Sequence, residues 1–160
     1  MSGRDRDTAG RARNARPRDA LGRPLPHGAP GIDRIPEYVV LSPDDALLAA
    51  QQLIDDGYSF HAHEVLEGVW KAAATPGEHR ELWQGLAQLA VGLTHVQRGN
   101  PRGAAALLRR AADRLDPYAE APPHGLDVTG LASYARALAD RIETGGTGAA
   151  ASGLRPRLRS

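Results

Sequence analysis

The stretch Phe60-His61-Ala62-His63-Glu64-Val65-Leu66-Glu67-Gly68-Val69-Trp70 holds two imidazoles, two carboxylates and two aromatic rings within about three helical turns. In helical geometry His63 and Glu67 fall one turn apart on one face, with Phe60 and Trp70 on nearly the same side. A second row follows. Gln84, Gln88, Val91 and His95 keep the spacing of a single helical stripe, and Gly85 and Gly92 beside it remove bulk where another helix can approach. The two polar rows are expected to face each other inside the protein.

Four chemistries fit such an arrangement. His-Glu-x-x-Glu is close to the zinc helix His-Glu-x-x-His. His63 and Glu67 would ligate a divalent metal from adjacent turns, His95 would complete the set from the next helix, and Glu64 would act as the base of a metal-dependent hydrolase. Glu67 stands where that motif has its second His, so the match is incomplete. Alternatively, His63, Glu64, Glu67, Gln84, Gln88 and His95 satisfy one another in a buried network that fixes the register of two helices. Each buried polar atom left unpaired costs about 1–3 kcal/mol, so such a network gains little over Leu and Ala unless specificity or a ligand requires it. A third possibility is a pocket for a small polar ligand, lined by these groups with Arg98 nearby and walled by Phe60, Trp70 and Trp83. The fourth is an interaction module that recruits a protein partner through its exposed face or basic ends. Whether the chain is an enzyme stays open.

Other candidates read as structural. His61 and His79 are expected to face solvent, His27 falls in a polar terminal stretch, and His124 sits in a Pro-rich loop. Arg98-Gly99-Asn100 reads as a helix stop followed by a new cap, and only second as an anion contact. The sequence contains no Gly-rich phosphate loop, nucleophile elbow or Ser-His-Asp arrangement.

Phe60, His63-Glu64, Glu67 and Trp70, then Trp83-Gln84-Gly85-Leu86-Ala87-Gln88, then His95, Arg98-Gly99-Asn100 and Gly103-Ala104 together resemble the pattern of domain of unknown function family 309. The resemblance runs over residues 60–115 and recurs at fixed offsets in uncommon residue types. It implies a compact helical fold and no established activity.

The elements that must position these residues are marked by caps. Ser42-Pro43-Asp44-Asp45 opens a first helix, with Leu47, Leu48 and Leu53 on one face, that stops at Asp56-Gly57. Ser59 can cap a second, from Phe60 to about Ala74. Thr75-Pro76-Gly77-Glu78 has the form of a capping box and opens a long third helix reaching Arg98. Asn100-Pro101 caps a fourth, through Leu115, with Ala104, Leu107, Leu108, Ala111 and Leu115 inward, and the short connection makes it an antiparallel neighbour. Asp127 can cap a fifth from Val128 to Glu143, with Leu131, Tyr134, Leu138 and Ile142 at helical spacing. We find no self-similar period of about 34 residues, so an all-α, compact bundle of about five helices is expected rather than a helical array.

Composition agrees. Aromatics are only 4% while Ala, Leu and Gly abound, which favours helices packed through small side chains. With no Cys, disulfides, thiolate nucleophiles and Cys-based metal sites are excluded. The polar start and the absence of a long apolar run predict a cytoplasmic protein with no membrane partner. Residues 1–35 hold eight Arg against four Asp, and residues 144–160 hold three Arg and no acid. Both stretches are expected to be disordered tails flanking a domain over residues 36–143. The net charge of +1 therefore conceals an acidic middle, and the domain offers no basic platform for nucleic acid.

Overall fold

The structure, a computed structural model, describes residues 41–71, 77–148 and 154–159. Five α-helices account for most of them: α1 (Pro43–Asp55), α2 (Ser59–Lys71), α3 (Gly77–Gln97), α4 (Pro101–Leu115) and α5 (Val128–Gly145). Each packs against the next in the chain, apart from short 3-10 turns at Asp116–Tyr118 and Pro123–Gly125 that carry the path from α4 to α5. The all-α bundle read from the sequence is what forms, and no strand occurs among the described residues. Among the described residues no helix is long and apolar enough to cross a membrane.

The caps explain the boundaries. The Ser42 hydroxyl accepts the Asp45 N–H at 3.1 Å, the Asn100 carboxamide oxygen accepts Gly103 N–H, and the Asp127 carboxylate accepts Gly130 N–H. Each side chain supplies an acceptor to a first-turn amide that has no partner within its helix. Gly99, at φ +75°, ends α3 in the left-handed region that side chains disfavour, and so lets α4 start at once in the opposite direction. The Thr75 capping box and the end of the second helix beyond Lys71 lie outside the described residues.

The core is leucine and alanine around Trp83, with Leu66, Leu86, Leu93, Leu108, Leu131 and Leu138 fully enclosed. Burial of each such leucine contributes about 1.5–3 kcal/mol. Small residues let the helices close up: a Cβ on Gly92 would come within 2.9 Å of the Leu108 side chain, and one on Gly85 within 3.1 Å of Arg114. The glycines of α3 therefore mark the approach of α4, and not of α2. Across α4 and α5, Arg109 bridges Asp140 and Glu143, and Arg136 bridges Asp113 and Asp116.

Two expectations need correction. Leu48, assigned to the inner face of the first helix with Leu47, is 64% exposed, because the stripe that reaches the core is Ala46, Leu47, Ala50 and Ile54. The segment expected as a disordered tail over residues 144–160 includes ordered structure: α5 continues to Gly145, and residues 154–159 return to the bundle with Leu154 and Leu158 in its core. Residues 1–35, expected as the other tail, lie outside the described residues.

Candidate functional site

On α2 the i, i+4 spacing brings His63 and Glu67 into contact, with Nε2 of the imidazole 2.8 Å from Oε2 of the carboxylate. The next turn adds Lys71, whose ammonium lies 2.5 Å from the other carboxylate oxygen. Glu67 is thereby held between two donors of its own helix. The His63 hydrogen bond is the main reason its pKa falls from an ordinary 4.5 to about 2, with partial burial opposing and Lys71 assisting. It is a fixed anion and no proton donor near neutral pH. Glu64, also half-buried, lies about 100° around the helix from His63 and stands off this row.

The row is not interior. His63 and Glu67 side chains are 20% and 27% exposed, and Trp70 is half-buried with the Lys71 ammonium 5.8 Å from its ring. On α3, Gln84, Gln88, Val91 and His95 are each half-buried as well. The stripe follows from register. Thr94 and Gln97 turn toward α2, Gly85 and Gly92 toward α4, and the four-residue row runs between those two directions on the outer side. Phe60 joins the helices at one end, its ring 5.5 Å from the His63 imidazole and 5.8 Å from the Arg98 guanidinium. The expected inward cluster is therefore a half-open polar face beside the α2–α3 contact.

Two acceptors in this face stand out. His63 Nδ1 and Gln88 Oε1 are fully enclosed, yet neither has a hydrogen-bond partner among the described residues. Because His63 Nε2 faces a carboxylate, the proton of the neutral ring belongs on Nε2 and Nδ1 is left as an acceptor.

His95 does not join His63 and Glu67. Its Nδ1 lies 3.0 Å from the Asn100 carboxamide nitrogen, across the turn into α4. Burial and the nearby Arg98 charge both push its pKa below the ordinary 6.5. The structure does not bring His63, Glu67 and His95 together as the metal reading expected: among the described residues no three His, Asp or Glu side chains are grouped to hold an ion. Glu67 is instead bonded to His63 and Lys71, and His95 to Asn100.

The buried polar network lies one row over, in residues the sequence did not single out together. Ser59 is no cap: its hydroxyl donates to Gln97 Oε1 at 2.6 Å and lies 3.1 Å from the Thr94 hydroxyl. Thr94 in turn donates to the Ala90 carbonyl, and the Gln97 amide to that of Gly57. His61, read as solvent-facing, is only 4% exposed and packs edge-on against the Tyr58 and Phe60 rings. Its spacing with Val65 and Val69 was the available signal, since all three share one apolar stripe. His79 and His124 meet over Trp83, the His124 ring 5.6 Å from the indole and 5.9 Å from His79.

Fold and site together define a small all-helical domain that carries a half-open polar face on its second and third helices. Residues 47–107, from α1 into α4, match the family described as "Domain of unknown function (DUF309)". The resemblance read from the polar residues thus holds, and the matched span begins a helix earlier. The chain is similar to "Uncharacterized protein YpuF" of Bacillus subtilis (strain 168), at 35% identity over 86 residues, 53% of this chain and 49% of that protein. The chain thus spans about half the length of this curated relative. No solved structure matches the chain.

Proposed function

We propose that the polar face of α2 and α3 binds a small polar ligand that carries N–H or O–H donors. The observation behind this is the pair of enclosed acceptors, His63 Nδ1 and Gln88 Oε1, without protein partners among the described residues. Buried acceptors of this kind cost about 1–3 kcal/mol each when unsatisfied, and a ligand donor would recover that cost on binding. The Glu67 carboxylate fixes the His63 tautomer, while the half-buried rings of Phe60 and Trp70 offer apolar surface for a planar group. Arg98 and Lys71 stand at the two ends of the α2 row, so a ligand with an anionic substituent would be favoured. The half-open face supports this over a closed scaffold network, since the Gln84, Gln88, His63 and Glu67 side chains are only half-buried, so that a small shift of the cover over His63 Nδ1 and Gln88 Oε1 would admit a ligand donor.

The test is a thermal-shift screen of the full chain against amides, nucleobases, amino acids and hydroxy acids, followed by calorimetry. A binder at 100-fold its Kd raises stability by about 2.7 kcal/mol. His63→Ala and Gln88→Ala variants are expected to keep their helical circular dichroism and lose the shift. A shift that survives both substitutions would overturn the proposal.

A further inference from the structure

Residues 154–159, Leu-Arg-Pro-Arg-Leu-Arg, alternate in environment: Leu154, Pro156 and Leu158 are buried, and Arg155 and Arg157 are exposed. That period of two is the mark of an extended segment lying with one face on the protein. Gln51 of α1 reads its main chain in both directions. The Gln51 Nε2 donates to the Pro156 carbonyl at 3.0 Å, and the Leu158 N–H donates to Gln51 Oε1 at 2.8 Å. On the other side the Asp127 N–H donates to the Leu158 carbonyl at 2.9 Å, and Leu126 pairs with Arg159 in an antiparallel bridge. Arg159 closes the contact on the α1 residue Asp44, donating to its carboxylate at 2.9 Å and its carbonyl at 3.2 Å.

The seat is thus built from α1 and the turn that leads into α5. α1 otherwise packs on α2, and α5 on α4, so the segment lies between α1 and the Leu126–Asp127 turn that opens α5. Its recognition has three parts: main-chain bonds that any non-proline residue could make, apolar room for alternate side chains, and an acidic contact for one arginine. Strand-adding peptide-binding domains combine the first two in the same way. The segment lies outside the span matched to the family. Burial of two leucines and a proline is opposed by the ordering of six residues, terms of similar size, so such a segment can exchange.

We propose that the groove between α1 and the turn before α5 is a docking site for extended peptides of alternating apolar and arginine residues. The chain's own residues 154–159 are its occupant in cis, and the same peptide binds in trans when the groove is free. The full chain and its Leu158→Asp variant are titrated with a fluorescent peptide of residues 154–159. The wild type is expected to bind weakly, because the tethered segment competes at an effective concentration on the order of millimolar. Leu158→Asp, which ejects the segment, is expected to bind at least ~10-fold more tightly, and adding Gln51→Ala should reverse the gain. Arg159→Glu, set against Asp44, loosens the segment without touching the core and should give an intermediate gain. Leu158→Asp that stays helical and binds no better than wild type would overturn the proposal. So would its unfolding without rescue by the peptide, combined with a folded Arg159→Glu variant that shows no gain.

Discussion

His95 Nδ1 lies 3.0 Å from the Asn100 carboxamide nitrogen, and the oxygen of that same carboxamide caps α4 at Gly103. The imidazole must accept, so the contact holds only the neutral ring. With the folded-state pKa pushed below 6.5 by burial and by Arg98, the neutral form is the one that folding favours. Its contribution is complete above pH 6.5 and is lost as pH falls through the lowered value. Urea midpoints of the wild type are therefore expected to drop from pH 7.5 to pH 5. A His95→Leu variant should show a shallower drop, and an identical pH slope in the two proteins would contradict the assignment.

Glu67 acts in a lower window. Its pKa is depressed from 4.5 to about 2 by His63 first, so the stabilisation is present above pH 4.5 and disappears between there and pH 2. The pair is part-exposed, and solvent screening keeps the effect to roughly 0.5–1 kcal/mol. Glu67→Gln is expected to be less stable than wild type at pH 6 by about that amount, with the gap narrowing below pH 4.5. Denaturation curves at pH 6 and pH 3 measure it.

Gly68 and Gly92 should respond to alanine with opposite signs. Gly68 is exposed within α2 and a Cβ there meets nothing within 4 Å, so Gly68→Ala should gain about 0.5–1 kcal/mol from helix propensity alone. At Gly92 the same gain meets Leu108 carbons at 2.9 Å and its backbone nitrogen at 3.4 Å, where overpacking costs about 1–3 kcal/mol. Gly92→Ala is expected to lower the melting temperature and Gly68→Ala to raise it.

The helices were legible because their ends are written locally: Ser42-Pro43, Asn100-Pro101 and Asp127 each cap within three residues of themselves. The polar residues were legible as rows but not in depth, since helical spacing gives a face and only the packing of neighbouring helices decides whether that face is interior. Ser59 shows the difference. By composition it is a cap, yet its partners, Thr94 and Gln97, arrive from a helix more than thirty residues away. The strap at residues 154–159 was hidden for the same reason, because its partners Asp44 and Gln51 lie more than a hundred residues earlier. His95 was drawn toward His63 by rarity of type, while its partner stood five residues along, across a turn.

Thr94 tests the buried network directly. Its hydroxyl donates to the Ala90 carbonyl at 2.9 Å and lies beside the Ser59 hydroxyl, itself bonded to Gln97. Thr94→Val keeps the shape, removes both contacts and introduces no new polar group. A loss of about 1–2 kcal/mol in chemical denaturation is expected, and Thr94→Ser should recover most of it. A neutral Thr94→Val would show that this network does not hold α2 on α3.

Gln88 separates a binding face from a scaffold by the sign of one stability change. If its enclosed carboxamide oxygen served the fold, replacement by leucine would break a bond and destabilise the protein. The oxygen has no partner among the described residues, so its burial is a cost the folded chain carries, and removing it should relieve that cost. Gln88→Leu has nearly the same volume, improves helix propensity slightly and places apolar atoms on a half-buried position of α3. We expect it to raise the denaturation midpoint by an amount equivalent to about 1 kcal/mol, with unchanged helical content, and to abolish the ligand-induced thermal shift of the wild type. Stability gained together with binding lost is the trade-off of a residue retained for a ligand, whereas a destabilised Gln88→Leu would return this residue to the scaffold.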